Sequence, residues 1–346
     1  MAHPEERAAA AVAAPAELAS VYRLAESDLA QVGKFILDRL TNADATIGEI
    51  LRYSFRLGGK RLRPLLLILA ARACGRPTRE HYLCAAALEM IHTGSLVHDD
   101  ILDGARFRRH LETLNLHWDS HFAVLAGDLL LTKAITLITE CGRPEVYPIV
   151  ADACRRTCEG ELLQVSCQGR LDLTRAEYDR IIEGKTAALL EASCRLGALL
   201  AGQSEGAVGL FTRFGRALGM AFQIFDDVLD LTGTDAETGK TLGTDLLNRK
   251  LTLPAIHFLQ TAPESETSAF LDLLHAESFG PDEAEKARVI LLASRSVDYA
   301  RRTALDMVRG AVDLLEEFGR GITDQDRLAA LDALRRIAEF IADRNK

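Results

Sequence analysis

Residues 83–103 read LCAAALEMIHTGSLVHDDILD. Apolar residues recur at three- and four-residue steps from Leu83 to Leu102, the period of an α-helix with a buried face. The segment then ends in His98-Asp99-Asp100-Ile101-Leu102-Asp103. On a helix, residues i and i+4 differ by about 40° in direction, so Asp99 and Asp103 project from one face. Carboxylates crowded on one turn repel each other and weaken a bare helix. An apolar helix that accepts this cost calls for compensation. Hard divalent cations supply it, because magnesium takes carboxylate ligands, keeps waters and bridges to phosphate oxygens.

The pattern occurs a second time, at Phe225-Asp226-Asp227-Val228-Leu229-Asp230, again at the end of an apolar helical stretch. A single D-D-x-x-D reads equally well as a solvated helix end. Two copies, each followed by basic residues, point instead to metal ions gathered around a phosphorylated ligand. Helical periodicity extends over Leu18–Leu40, Phe122–Ile138, Tyr178–Leu200, Leu210–Leu231 and Leu328–Ile341. Thr174 and Glu177 form a capping box. Gly75-Arg76-Pro77, Gly142-Arg143-Pro144 and Gly280-Pro281 read as helix stops. No run alternates as a strand. The expectation is an all-α fold, one large helical body over residues 19–346, preceded by an Ala-rich mobile or weakly helical arm at residues 1–18.

Composition agrees. Aromatic residues are only 6% of the 346, which favours helix on helix over sheets. A net charge of −9, from 41 basic and 50 acidic side chains, argues against general nucleic-acid binding. Seven cysteines without framework spacing suggest reduced thiols in a cytoplasmic protein. No segment reads as transmembrane: Pro64–Ala71 is too short, and the run at 187–201 is broken by Glu191 and Arg195.

The basic residues form a second constellation: Gly58-Gly59-Lys60-Arg61-Leu62-Arg63-Pro64, Arg108-Arg109, Lys185-Thr186, Gly239-Lys240 and Lys250-Leu251-Thr252-Leu253-Pro254. Arg forks and Lys point charges suit diphosphate oxygens. The two Gly-Lys-Thr triplets are not P-loops, because Asp179 and Thr234 stand where that motif needs glycine. Glu89 and His92 make one E-x-x-H, whereas a di-iron bundle needs two.

Taken in order, Gly58–Pro64, His98–Asp103, Arg108-Arg109, Lys185-Thr186, Phe222–Asp230 and Gly239–Pro254 resemble the motifs of the all-trans isoprenyl (polyprenyl) diphosphate synthases. The likeness spans roughly residues 20–340, and the ordered set is specific where no element alone is. Three departures stand in the loop after the first motif: His110 replaces a usual Gly, Leu111-Glu112-Thr113 a familiar Lys-Pro-Thr, and Gly104 a common polar residue.

The resemblance implies an isoprenoid-synthase helical bundle, with the active-site cavity between the helices bearing the two D-D-x-x-D motifs. It also implies head-to-tail condensation of isopentenyl diphosphate with an allylic diphosphate. Magnesium, three ions per site, would be held by Asp99, Asp103 and Asp226, with Asp100, Asp227 and Asp230 close behind. Arg108, Lys185, Lys240 and Lys250 would surround the allylic diphosphate. Lys60, Arg63, His92 and Arg109 would take the diphosphate of isopentenyl diphosphate. Thr186 and Gln223 would line the cationic region, and the departing diphosphate would be the base. The family also implies a homodimer.

Chain length is expected from the helix before Asp99. Ile91, Gly94 and Ser95 lie near the aspartate face, where short-chain members carry blocking aromatics, so the small residues Gly94 and Ser95 imply an open tunnel and a long product. The alternatives are a short-chain farnesyl or geranylgeranyl synthase, or a non-catalytic subunit of a heteromeric synthase; a class I terpene cyclase would not need the Gly58–Pro64 segment.

Overall fold

A computed structural model describes residues 16–57, 59–233, 243–276 and 279–343. Most of the expected N-terminal arm, with Gly58, Gly239 and Lys240, therefore lies outside the described residues. The chain divides into two compact units. The first comprises the described residues through Cys154 with Leu189–Thr212 and Leu315–Ile337; the second comprises Arg155–Ala188, Arg213–Leu314 and the described residues from Ala338 on.

Almost everything described is helix. A 3-10 turn at Ala16–Leu18 leads into α1 (Ala19–Leu24), α2 (Glu26–Leu40), α3 (Ala45–Arg56), α4 (Leu62–Cys74) and α5 (Arg79–Leu102). Two dipeptide strands, β1 (Phe107–Arg108) and β2 (Leu111–Glu112), pair antiparallel. There follow α6 (Leu114–His117), α7 (Ser120–Cys141), α8 (Val146–Ser166), α9 (Arg175–Ile182), a π-helical turn at Glu183–Ala187, α10 (Ala188–Leu200) and α11 (Glu205–Thr232). The remaining helices are α12 (Thr244–Leu247), α13 (Leu253–Thr261), α14 (Glu264–His275), α15 (Pro281–Ala293), α16 (Ser296–Gly319) and α17 (Gln325–Asp343).

In the first unit α4 and α5 are the core. Every residue from Leu65 to Ala71 is wholly buried, and α5 is buried from Leu83 to Ile91. A helix apolar all round must sit inside its unit, and each buried Leu or Ile contributes about 1.5–3 kcal/mol. The core helix α5 delivers Asp99, Asp100 and Asp103 at its C-terminal end. It packs extensively along α7.

Local signals behave largely as the sequence implies. Thr174 and Glu177 form the capping box of α9, with Thr174 N to Glu177 Oε2 at 2.8 Å and Glu177 N to Thr174 Oγ1 at 3.2 Å. Gly142 ends α7 in the left-handed region at φ 65°. Gly280-Pro281, however, starts a helix: Gly280 is the N-cap of α15 and Pro281 its first residue. Proline suits that position, because its missing N–H would have no partner there.

By length and composition alone α7 is apolar enough to cross a membrane, a test that core helices also pass. Within the first unit its Ala123, Ala126, Leu130, Ala134 and Leu137 are buried.

Candidate active site

The first unit carries the first acidic motif and the Lys60–Pro64 segment. Asp100 is buried and bound by Arg108 in a forked ion pair. Nε reaches both carboxylate oxygens at 2.9 and 3.1 Å, and Nη2 reaches Oδ1 at 2.8 Å. Arg108, expected at the allylic diphosphate, pairs with the middle aspartate, and Asp103 is exposed. The fork is delivered by the β1–β2 hairpin, whose two linking residues, Arg109 and His110, have φ of 53° and 65°. A two-residue hairpin with both positions left-handed favours Gly or Asn. This is why His110 is the unusual residue of the loop.

A second cluster forms around Glu89, which is 3% exposed and whose Oε2 has no hydrogen-bond partner. Burial raises its carboxyl above the usual range, against the pull of Arg63, Arg61 and Arg109. Burial lowers Arg63 to about 10, partly offset by Glu89, so it stays charged at neutral pH. His92 is pushed well below the usual imidazole range by burial first, then by Arg63, Arg108 and Arg109. The structure therefore brings Arg63, His92 and Arg109 of the expected isopentenyl site together. It adds Arg61 and Glu89, which sequence reasoning had not assigned. Arg61 is left-handed at φ 46° where it begins α4, and the Tyr22 hydroxyl donates to the Lys60 carbonyl. A side chain on Gly59 would collide with the Arg109 guanidinium.

Gly94 does not border open space. A Cβ there would lie 3.1 Å from the Gly127 carbonyl oxygen and 3.6 Å from Leu130 Cβ on α7. The expectation of an open tunnel at this residue is corrected: its smallness serves the close approach of α5 and α7. Ser95 is half-buried, its hydroxyl donating to the His92 carbonyl at 2.9 Å.

The second unit carries the other motif on α11. Asp226 is exposed. Asp227 is 5% exposed and accepts from the Tyr178 hydroxyl at 2.6 Å and from Gln223 Nε2 at 2.8 Å. Burial raises its carboxyl well above the usual range, and the carboxylates of Asp245 and Asp226 add to this. Asp230 accepts from the backbone N–H of Thr244 and Asp245 at 3.2 and 3.1 Å, tying the motif to the start of α12.

Lys185 and Thr186 sit on the π turn. A Cβ on Gly160 would lie 2.4 Å from Lys185 N, and one on Gly184 would lie 2.5 Å from the Arg156 carbonyl oxygen, so these glycines let α8 and the turn meet backbone to backbone. Thr186 Oγ1 donates to Gln223 Oε1 at 2.7 Å, and Lys185 Nζ pairs with Glu161 at 2.6 Å. Lys185, Thr186, Gln223, Asp227, Asp245 and Lys250 line one cleft of this unit. Tyr178 and Glu161 carried no distinguishing sequence signal; Asp245 stood inside the Gly239–Pro254 stretch without an assigned role.

Among the described residues no group of three or more His, Cys, Asp or Glu side chains is poised to cage a metal. The donors present fit a different kind of ion, one that takes one or two carboxylates and fills its shell with water and phosphate oxygens. Exposed Asp103 and Asp226 are carboxylates that such an ion could take; Asp100 and Asp227 are buried and accept hydrogen bonds from protein donors.

A helical fold carrying two D-D-x-x-D helix ends, with lysines converging beside one of them, defines a class of enzymes acting on diphosphates. The polyprenyl synthetase family model matches residues 44–291, and the chain belongs to that family. It is accordingly a prenyltransferase of isoprenoid biosynthesis. It is 36% identical to a short chain isoprenyl diphosphate synthase of Methanothermobacter thermautotrophicus over 311 residues, 87% of this chain and 92% of that one. It is also 36% identical to heptaprenyl diphosphate synthase component 2 of Geobacillus stearothermophilus, covering 84% and 88%. A solved polyprenyl synthase from Caulobacter crescentus CB15, complexed with calcium and isoprenyl diphosphate, matches with a TM-score of 0.87 at 33% identity, covering 95% of this chain and 98% of that one.

Proposed function

We propose that this chain condenses isopentenyl diphosphate with an allylic diphosphate, head to tail, and releases a long polyprenyl diphosphate. The observation that carries the condensation is the convergence of Lys185, Thr186, Gln223 and Lys250 on the cleft beside Asp227. Lysines there face a leaving diphosphate, and hydroxyl and amide oxygens face the carbon it leaves. Asp99, Asp103 and Asp226 are the proposed magnesium ligands, in the three-ion arrangement of the family; bound magnesium supplies Lewis-acid stabilisation of the departing diphosphate. Lys240, outside the described residues, is proposed for the same diphosphate. Lys60, Arg63, His92 and Arg109 hold the diphosphate of isopentenyl diphosphate, with His92 neutral and donating a hydrogen bond.

Ser95 and Ile91 support the long product, since neither is a blocking ring. The short-chain reading keeps a specific observation in its favour: Gly94 is taken up by packing against α7. Incubation with labelled isopentenyl diphosphate and allylic primers of graded length tests both. A product beyond four isoprene units supports the long-chain reading, and Ser95→Phe then shortens it. A wild-type product of three or four units refutes it.

The same assay tests self-sufficiency. Phe122, Leu125, Leu131 and Ile135 leave α7 with an exposed apolar side, Leu125 at 64%, which supports a homodimer. The relative that is one component of a heptaprenyl synthase supports a second, heteromeric reading. Turnover by the purified chain alone, at the mass of a dimer in light scattering, decides for the first.

A further inference from the structure

The middle aspartate of the second motif sits at the head of a directional chain of hydrogen bonds. The Tyr178 hydroxyl donates to Asp227 Oδ2 at 2.6 Å. Gln223 Nε2 donates to Asp227 Oδ1 at 2.8 Å, and Thr186 Oγ1 donates to Gln223 Oε1 at 2.7 Å. Every member lies within the second unit. Tyr178 is 3% exposed and Asp227 5%, and both line the cleft with Thr186, Gln223, Lys185 and Lys250.

The direction of the chain follows from which groups accept. Asp227 meets two donors with its two carboxylate oxygens. Gln223 has one donor end and one acceptor end, so facing Asp227 with its NH₂ leaves its carbonyl oxygen on the Thr186 side. Thr186 has one hydroxyl hydrogen, and that hydrogen is spent on the Gln223 oxygen. What remains on Thr186 is lone pairs. From this chain, Thr186 offers lone pairs to the cleft, and the Gln223 carbonyl oxygen is held on the Thr186 side, away from Asp227. In a cleft shielded from water, fixed dipoles aimed this way favour a developing cation, because they need no reorganisation when charge appears.

Without Tyr178 this arrangement has no lock. An Asp227 that loses one of two donors can rotate, and the Gln223 amide can turn over by half a revolution. That would present NH₂ toward Thr186 and reverse the polarity of the chain. The hydroxyl of Tyr178 is the only atom that Phe would lack; Tyr178 lines the same cleft, and its hydroxyl is spent on Asp227.

We propose that Tyr178 is a positioning residue that, through Asp227, fixes the Gln223 and Thr186 oxygens toward the allylic cation formed in the reaction. The inference rests on the proposed condensation and names which end of each polar group faces the charge.

The test compares two allylic diphosphate analogues of equal length by calorimetry, with magnesium present. One carries an ammonium nitrogen at the carbon that becomes positive; the other is neutral, with sulfur replacing the bridging oxygen. Tyr178→Phe lowers affinity for the ammonium analogue about tenfold and leaves the neutral one unchanged; kcat falls while the KM for isopentenyl diphosphate holds. Equal losses for both analogues overturn the proposal, because Tyr178 then only supports the fold or the diphosphate. Retention of ammonium affinity within twofold overturns it as well. If Tyr178→Phe does not fold, judged by circular-dichroism melting, Asp227→Asn is measured in its place with the same selective loss expected. Wild-type protein that binds neither analogue overturns the condensation reading itself, and this proposal with it.

Discussion

The two D-D-x-x-D segments have the same spacing, and their middle carboxylates have different companions. Asp100 is held by the charged fork of Arg108, and Asp227 by the neutral donors of Tyr178 and Gln223. A guanidinium cancels a carboxylate; a phenol and an amide only orient one. The first motif is therefore built as a neutralised middle with acidic neighbours. The second has a middle carboxyl that burial raises well above the usual range and that meets Gln223, which in turn meets Thr186. Equal motifs in sequence need not do equal work, because the partner is chosen by the segment the fold brings alongside.

The largest effect expected is on what the motifs share. Asp99→Ala and Asp226→Ala each lower turnover by at least about a hundredfold, as loss of transition-state charge stabilisation does elsewhere, with thermal unfolding little changed. Full activity in excess chelator would remove the metal from the account of both motifs.

The next expectation separates them. Asp100→Asn strands a largely buried Arg108 and lowers unfolding free energy by about 2–3 kcal/mol, somewhat below the 3–5 typical of a fully buried pair. Asp227→Asn leaves no charge stranded and costs about 1 kcal/mol or less, the value of neutral hydrogen bonds. Urea denaturation of both variants decides it, and equal losses would show that the two middle carboxylates are held alike.

These differences also mark how far the sequence could be read. The helices, the Thr174–Glu177 box and the converging Lys185, Thr186 and Gln223 follow from periodicity and ordered motifs. The π turn does not, because the apolar period runs on through Tyr178–Leu200 and nothing local reports a five-residue turn. Arg108 reads as a phosphate ligand, and its pairing with Asp100 through the β1–β2 hairpin carries no sequence signal of its own. Glu89 looks like half of a di-iron motif until the Arg61–Arg63 segment, distant in sequence, surrounds it. Gly94 looks like open space, because a missing side chain reads the same whether a ligand or a helix approaches it.

A third expectation concerns pH and the cations near the first motif. Native His92 resists protonation, whereas the unfolded chain protonates it near 6.5. Between these values the unfolded state binds more protons, so stability rises with pH up to about 6.5 and falls as acid is added. The slope approaches about 1.4 kcal/mol per pH unit for one such group. His81 contributes in the same direction, its pKa also lowered by burial. His92→Gln should therefore reduce the acid limb without abolishing it. An unchanged limb would mean that His92 is already protonated beside Arg63 and Arg109.

The smallest expectation contrasts the turns that follow the two motifs. His110 after the first and Arg249 after the second both adopt the left-handed region, at φ 65° and 52°. A non-glycine residue there costs on the order of 1–2 kcal/mol, and glycine removes the strain while making the unfolded chain more flexible by up to about 1 kcal/mol. For His110, which is exposed, the balance favours the variant: His110→Gly should gain about 0.5–1 kcal/mol. Arg249 is different, since its guanidinium lies 4.9 Å from the Phe279 ring centre and donates to the Ala276 carbonyl at 3.2 Å. Removing those contacts costs about 1–2 kcal/mol, so Arg249→Gly should be neutral or destabilising. Melting curves of the two variants side by side test the contrast. A gain at Arg249 as large as at His110 would show that its ring and carbonyl contacts hold nothing in place, and that the turn after the second motif, like the turn after the first, is shaped by its backbone alone.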